Sequence, residues 1–251
     1  MLLLLDIGNT HTHLGLANDR TVSKQTDIST QSWRDGAAIR RVRSFVGKSR
    51  LEAVAVCSVV PSATAIARRE FKKMNAAPWF ELTARTAAAA IGIEYPRPDT
   101  IGPDRLANAI AARQQLGDPC LAIDFGTAVT FDVVDRKGRF IGGVIAPGLA
   151  LLTGYLHEKT ALLPEIKIRP VRTAIGRSTE EAMRAGAVYG FRGMVRELIM
   201  QIRKELRSPQ LPVVATGGYA RLVASALPEI TVVNPFLTLE GLRLAWKVGS
   251  Y

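Results

Sequence analysis

Only two cysteines occur in the 251 residues, Cys57 and Cys120, and each lies in an apolar, strand-like run without CxxC spacing. That usage excludes a disulfide framework and a paired-cysteine zinc site, and it fits a reducing compartment such as the cytoplasm. No stretch reaches the roughly eighteen uninterrupted apolar residues that a membrane-spanning helix needs. The apolar opening, Met1 to Leu5, runs straight into Asp6 with no basic residues and no small-residue cleavage site, so it reads as a buried strand rather than a signal peptide. Low-complexity tracts and Ser/Gly linkers are missing. So are the G-x-x-x-x-G-K-[ST] loop and the G-x-S-x-G elbow, which removes the main support for P-loop nucleotide enzymes and α/β-hydrolases.

What is present begins with charge. The formal net charge of +11 invites a nucleic-acid reading. The distribution opposes it: cations are spread over residues 34–50, 68–73, 167–177 and 192–207, on what read as exposed helix faces. Aromatics make up 6% of the chain and do not interleave with them, and no helix-turn-helix, zinc-finger or RNA-binding signature occurs. A solvated basic surface that also attracts anionic substrates is expected, rather than a nucleic-acid site.

The chain also repeats itself. Leu2 to Leu16 reads LLLLDIGNTHTHLGL, and Cys120 to Val134 reads CLAIDFGTAVTFDVV. Each is an apolar run, Asp-x-Gly, a threonine-containing turn and a second strand-like run, which predicts a hairpin with Asp near the end of its first strand. Residues 51–71 and 211–227 echo each other as strand, small-residue turn and helix. The pattern predicts a duplicated α/β fold divided near residues 117–119, into units 1–117 and 118–251, with the two Asp-x-Gly turns on facing walls of a cleft. Further helices are expected over 104–116 and 178–206, the second with Ser178 as N-cap and Glu181 completing a capping box.

Four motifs can carry chemistry. Asp6-Ile7-Gly8-Asn9-Thr10-His11-Thr12-His13 is either a hairpin turn in which Asp6 caps amides, or a phosphate nest with a carboxylate placed for Mg²⁺. Asp124-Phe125-Gly126-Thr127 repeats it, and the pair could hold the β- and γ-phosphates from both sides. Gly102-Pro103-Asp104-Arg105 puts an acid and a base at a helix start; Asp104 either complements the helix dipole or serves as a general base beside a substrate-binding Arg105. Glycine turns are expected at 142–148 and 215–218, the second suited to an adenine or ribose contact or to packing. His11 and His13 share a strand face without a partner at metal-ligand spacing, and His157 is isolated, so no histidine metal site is expected.

Taken in order, DIGNTHTHLGL (6–16), CSVVPS (57–62), GPDRLANAIAA (102–112), DFGTAVTFDVV (124–134), GGVIAPGL (142–149), IGRSTEEAMRAGAVYGFRGMV (175–195), ATGG (215–218) and FLTLEGL (236–242) resemble the type III pantothenate kinases. These are members of the actin-like superfamily of acetate and sugar kinases. The resemblance implies duplicated actin-like (ribonuclease H-like) domains, with mixed sheets flanked by helices and a nucleotide cleft between them. It implies ATP-dependent phosphorylation of pantothenate in coenzyme A biosynthesis. By position, Asp6, Ile7, Gly8, Asn9, Thr10, His11, Thr12 and His13 would form the ATP phosphate loop, with Thr127 added from the second turn and Mg²⁺ near Asp6. Asp104 would accept the proton. Tyr95, Gly102, Pro103 and Arg105 would line the pantothenate pocket, and Asp124 would hold a monovalent cation, K⁺ or NH₄⁺. Thr179 would reach pantothenate from a neighbouring subunit, implying a homodimer. Asn234 before Pro235, where many relatives carry Asp, and the strong basic charge depart from the family. Another small-molecule kinase of the superfamily, or a basic transcriptional accessory protein, would be the alternatives.

Overall fold

The computed structural model describes residues 1–74 and 77–249. The first sheet has the order β3-β2-β1-β4-β5, built from β1 (Leu2–Ile7), β2 (His11–Ala17), β3 (Val22–Ser29), β4 (Ala53–Ser58) and β5 (Trp79–Glu81). The second runs β11-β10-β7-β8-β9-β6, from β6 (Gly92–Ile93), β7 (Cys120–Phe125), β8 (Ala128–Val134), β9 (Arg139–Pro147), β10 (Val213–Thr216) and β11 (Val232–Val233). In each, three antiparallel strands form a meander whose first strand also pairs in parallel with a later one, β1 with β4 and β7 with β10. The echo in the sequence is thus an echo in topology.

The helices are α1 (Ala37–Val46), α2 (Pro61–Lys73), α3 (Ala84–Ala87), α4 (Pro103–Leu116), α5 (Leu149–Lys159), α6 (Thr179–Glu205), α7 (Ala220–Ala224) and α8 (Leu237–Gly249). Strand alternation assigns them to layers, because successive side chains leave opposite faces. Leu3, Leu5 and Ile7 pack with Ala38, Val42 and Phe45 of α1 and with Ala63, Ala67 and Phe71 of α2. Leu2 and Leu4 face the other way, onto Leu106, Ala107 and Ile110 of α4 and Leu237 and Leu242 of α8. Cys120 and Ala122 of the second sheet join that same cluster, while Leu121, Ile123 and Phe125 pack on Phe191, Val195 and Ile199 of α6. α4 and α8 are therefore the filling between two sheets. That is why α4 is buried continuously from Leu106 to Ala112 instead of along one stripe.

Three expectations meet different outcomes. Ser178 does cap α6, its hydroxyl accepting from the Glu181 amide at 3.2 Å. The capping box is not completed, because the Glu181 carboxylate takes the Arg177 amide at 2.7 Å instead of that of Ser178. Gly142 and Gly143 are not a turn between strand and helix; they lie inside β9 at positive φ, at its register shift against β8. A β-carbon on Gly143 would overlap the Phe131 carbonyl, so the glycines serve close strand approach. Two elements cross the 117–119 junction: β6 pairs with β9, and α8 returns to α4. No helix among the described residues is long and apolar enough to cross a membrane.

α4 and α8 approach closely, because a β-carbon on Gly241 would overlap the Ala107 carbonyl. Gly241→Ala is expected to destabilise the fold by about 1–3 kcal/mol, since backbone rather than a flexible side chain must move. Urea titration checks this, and an unchanged midpoint would show that the helices separate freely.

Candidate active site

Asp6 and Asp124 occupy equivalent places, each one residue before the end of the first strand of its meander, and both side chains point into the layer filled by α4. Each following turn is closed by its glycine, the second turn being one residue shorter: the Gly8 amide donates to the His11 carbonyl at 3.0 Å, and the Gly126 amide to the Ala128 carbonyl at 3.1 Å. Between the two turns, the hydroxyls of Thr10 and Thr127, 117 positions apart, meet at 3.3 Å. Asp104 enters from the first turn of α4, whose Pro103 fits a position with no intrahelical bond to donate. Its carboxylate accepts from the Arg105 amide at 2.9 Å. Gly217, at φ 89°, brings the turn after β10 against the group; a β-carbon there would stand 2.6 Å from Asp124 Oδ1.

The three carboxyls feel one another. Burial lifts Asp6 to about 7; His13 opposes the rise, and the charges of Asp104 and Asp124 add to it. Asp124 is lifted to about 6 by burial and by Asp104, against a hydrogen bond from Asn108. Burial also raises Asp104, opposed by the amide and guanidinium of Arg105. Loss of hydration is the largest cause for all three, and the charge of neighbouring carboxyls adds to it at Asp6 and Asp124.

Sequence-expected residues divide by direction. Ile7 is buried in the outer core. Thr12 is buried too, sharing a 3.0 Å bond with Thr30 and accepting from the Trp33 indole at 3.2 Å. Both side chains therefore point away from the cleft, and those positions can serve a phosphate only through backbone. Gly8, Asn9, Thr10 and His11 lie at or near the surface of the turn. Tyr95 stands near α4, its ring 6.1 Å from that of Phe140. Thr179 is exposed at the first turn of α6.

Two participants, Asn108 and Asp132, were missed, as were the partners of His13 and the place of Cys57. Asn108, fully buried, donates to Asp124 Oδ2 at 3.3 Å and accepts from the Thr238 hydroxyl of α8 at 2.8 Å. A lone amide in the apolar run LANAIAA was its signal. Asp132 receives Arg105 Nε at 2.6 Å; an acid embedded in TFDVV was the cue. His13 lies in register between Asp6 and Asp27, and its Nδ1 is 2.7 Å from Asp27 Oδ1. Burial opposes charging His13, but Asp6 and Asp27 outweigh it and raise its pKa. That partner lies fourteen positions away in sequence and appears only through strand pairing. Cys57 completes the row, its thiol donating to Asp6 at 3.3 Å.

Among the described residues, neither Asp6 nor Asp124 forms an ion pair with Lys or Arg, and both are half-buried carboxylates of hard oxygen chemistry. Carboxylate oxygens of this kind are the ligands that Mg²⁺ takes. Among the described residues, no group of three or more His, Cys, Asp or Glu side chains is placed to hold a metal ion by itself.

A family model described as type III pantothenate kinase matches residues 2–201. A type III pantothenate kinase of Methylacidiphilum infernorum (isolate V4) is 44% identical over 248 residues, covering 98% of this chain and 88% of that one. Among solved structures, a Baf family transcriptional activator of Campylobacter jejuni superposes with TM-score 0.61 at 16% identity, covering 98% of this chain and 97% of its own. A polyphosphate/ATP-glucomannokinase of Arthrobacter sp. strain KM gives 0.52 at 14%, covering 99% and 98%. At those identities the structures bear on fold alone, and the fold is the duplicated actin-like one.

Raised carboxyl pKa values carry a stability consequence. A folded-state value above the unfolded 3.8 means that the folded chain binds more protons in between. The stability these groups contribute is full below about pH 4 and is lost as pH rises through about 6 to 7. In chelator, the wild type should lose on the order of 1–3 kcal/mol for each group over that window, and Asp124→Asn should flatten the fall. Thermal melts at about pH 5 and pH 7.5 check this; equal slopes in both proteins would remove Asp124 from the account.

Proposed function

The chain belongs to the type III pantothenate kinase family, and from that premise we propose that it transfers the γ-phosphoryl group of ATP to the primary hydroxyl of pantothenate. The products are 4′-phosphopantothenate and ADP, and the reaction opens coenzyme A biosynthesis. The observation that supports this reading most is the approach of Thr10 to Thr127 beside three mutually repelling carboxyls. Phosphoryl transfer needs positioning and charge stabilisation more than covalent help, and paired glycine-threonine turns supply amides and hydroxyls to the phosphates from two sides.

In this mechanism Asp104 accepts the hydroxyl proton. The hydroxyl oxygen bonds to the γ-phosphorus while the bond to the β–γ bridging oxygen breaks, and ADP departs with that electron pair. A carboxyl raised by burial is a better proton acceptor than an ordinary one. Arg105 and Tyr95 orient pantothenate, with Gly102 and Pro103 shaping the approach. Asp6 would hold Mg²⁺, directly or through water, and Asp124 would hold K⁺ or NH₄⁺; bound there, the cations offset the negative charge of the phosphates. Units 1–117 and 118–251 act as the two walls of the cleft, and the enzyme works in the cytoplasm.

We also assign a homodimer. Ile145 and Tyr155 (each 62% exposed), Leu162 (90%) and Ile175 (83%) join Leu151 and Leu156 as exposed apolar residues of β9, α5 and the segment after it. A water-facing apolar group of that kind marks an interface, and it lies on the same stretch of chain that leads to Thr179. Tyr155→Glu should shift the protein toward monomer in sedimentation and lower turnover. A variant that stays dimeric and fully active would move the interface elsewhere.

The kinase reading is tested by coupled ADP release with pantothenate, in potassium and in sodium buffers, for wild type and Asp104→Asn. Wild type should turn over only with pantothenate and faster in potassium. Asp104→Asn should bind ATP yet lose about a hundredfold to ten-thousandfold in kcat. Full activity in that variant would end the proton-acceptor role, and turnover of sugars but not pantothenate would end the substrate assignment.

A further inference from the structure

Asp132 has no part in the mechanism above, yet it is a fully buried acid at the centre of β8. Its neighbours Phe131 and Val133 serve the core against α6, whereas Asp132 faces the α4 side, opposite Ala122 in register. An apolar residue would suit that position better for stability alone, because an enclosed carboxylate loses its hydration.

Among the described residues, its one ion pair is with Arg105. Arg105 Nε donates to Asp132 Oδ1 at 2.6 Å, and the Thr130 hydroxyl donates to Asp132 Oδ2 at 3.3 Å. Arg105 Nη2 donates to the Phe131 carbonyl at 3.4 Å, and the guanidinium carbon stands 5.6 Å from the Phe140 ring centre. A β-carbon on Gly143 would come within 3.2 Å of Nη2, so that glycine leaves the guanidinium its place. Tyr95 closes the same corner, against Phe140 and Gly142. The Arg105 side chain is only 12% exposed, and its Nε/Nη2 edge is gripped. Among the described residues Nη1 has no hydrogen-bond partner, and it belongs to the residue next to Asp104. A planar guanidinium fixed along one edge presents the other in a set direction.

We propose that Asp132 is a positioning residue for the acceptor substrate: it locks Arg105 so that the free guanidinium edge meets an oxygen of pantothenate and holds the hydroxyl against Asp104. This rests on the kinase reading. A merely structural salt bridge predicts something different, a loss spread over stability and both substrates.

Steady-state kinetics with pantothenate and ATP varied separately decide between them. For Asp132→Asn, KM for pantothenate should rise roughly tenfold to hundredfold, as for loss of a charge-assisted contact, while KM for ATP stays within about twofold. In an Arg105→Lys background the same substitution should add little, because the group it positions is already gone. An unchanged pantothenate KM, equal changes for both substrates, or additive effects in the double variant would each overturn the proposal. Should Asp132→Asn fail to fold, Thr130→Val removes only one bond to the carboxylate. It should raise the pantothenate KM alone, and no rise would count equally against the idea. A wild type that does not phosphorylate pantothenate would sink the kinase reading first, and this inference with it.

Discussion

Carboxyl groups at positions 6, 104 and 124 repel one another in a space from which most water has been removed, and the architecture around them is what keeps them there. Each comes from a different element: the end of a strand in one sheet, the equivalent end in the other, and the first turn of the helix between. Left to itself such a group would move apart or take up protons. The two sheets prevent the first, since strand alternation points Asp6 and Asp124 at the same central layer that holds α4. The raised pKa values record the second. A site strained in this sense is primed for positive charge, which a nucleotide's accompanying cations bring.

Much of this could be read from the chain before any coordinates. Asp-x-Gly between two strand-like runs is a local pattern, and its repetition indicated both the duplication and the pairing of the turns. Asn108, Thr238 and Asp132 were harder, because their roles depend on which helix lies between which sheets, a fact that no local window contains. His13 and Asp27 meet only through the register of β2 against β3. The glycines at 142–143 misled for a physical reason: absence of a β-carbon serves a tight turn and a close strand approach equally well, and periodicity does not separate them. Ile7 and Thr12 sit inside the phosphate-loop motif, yet alternation sends their side chains into the outer core.

The basic excess has a different address from the chemistry. Arg40, Arg41 and Arg43 of α1 and Arg68, Arg69 and Lys72 of α2 are exposed on the layer that covers the far side of the first sheet from Asp6. Their field is damped within about 8 Å at physiological ionic strength. It can favour the approach of anions to the molecule as a whole, but it does not neutralise the buried acids.

The hydrogen bond from Thr238 to Asn108 joins residues 130 positions apart, and Asn108 in turn steadies Asp124. Leu237 and Leu242 complete the layer between the sheets. During synthesis, therefore, both Asp-x-Gly hairpins emerge long before the helix that seats them. A growing chain can pair its strands early, but its cleft stays unfinished until residues 237–249 have left the ribosome and docked. Docking of α8 is the step that completes the site.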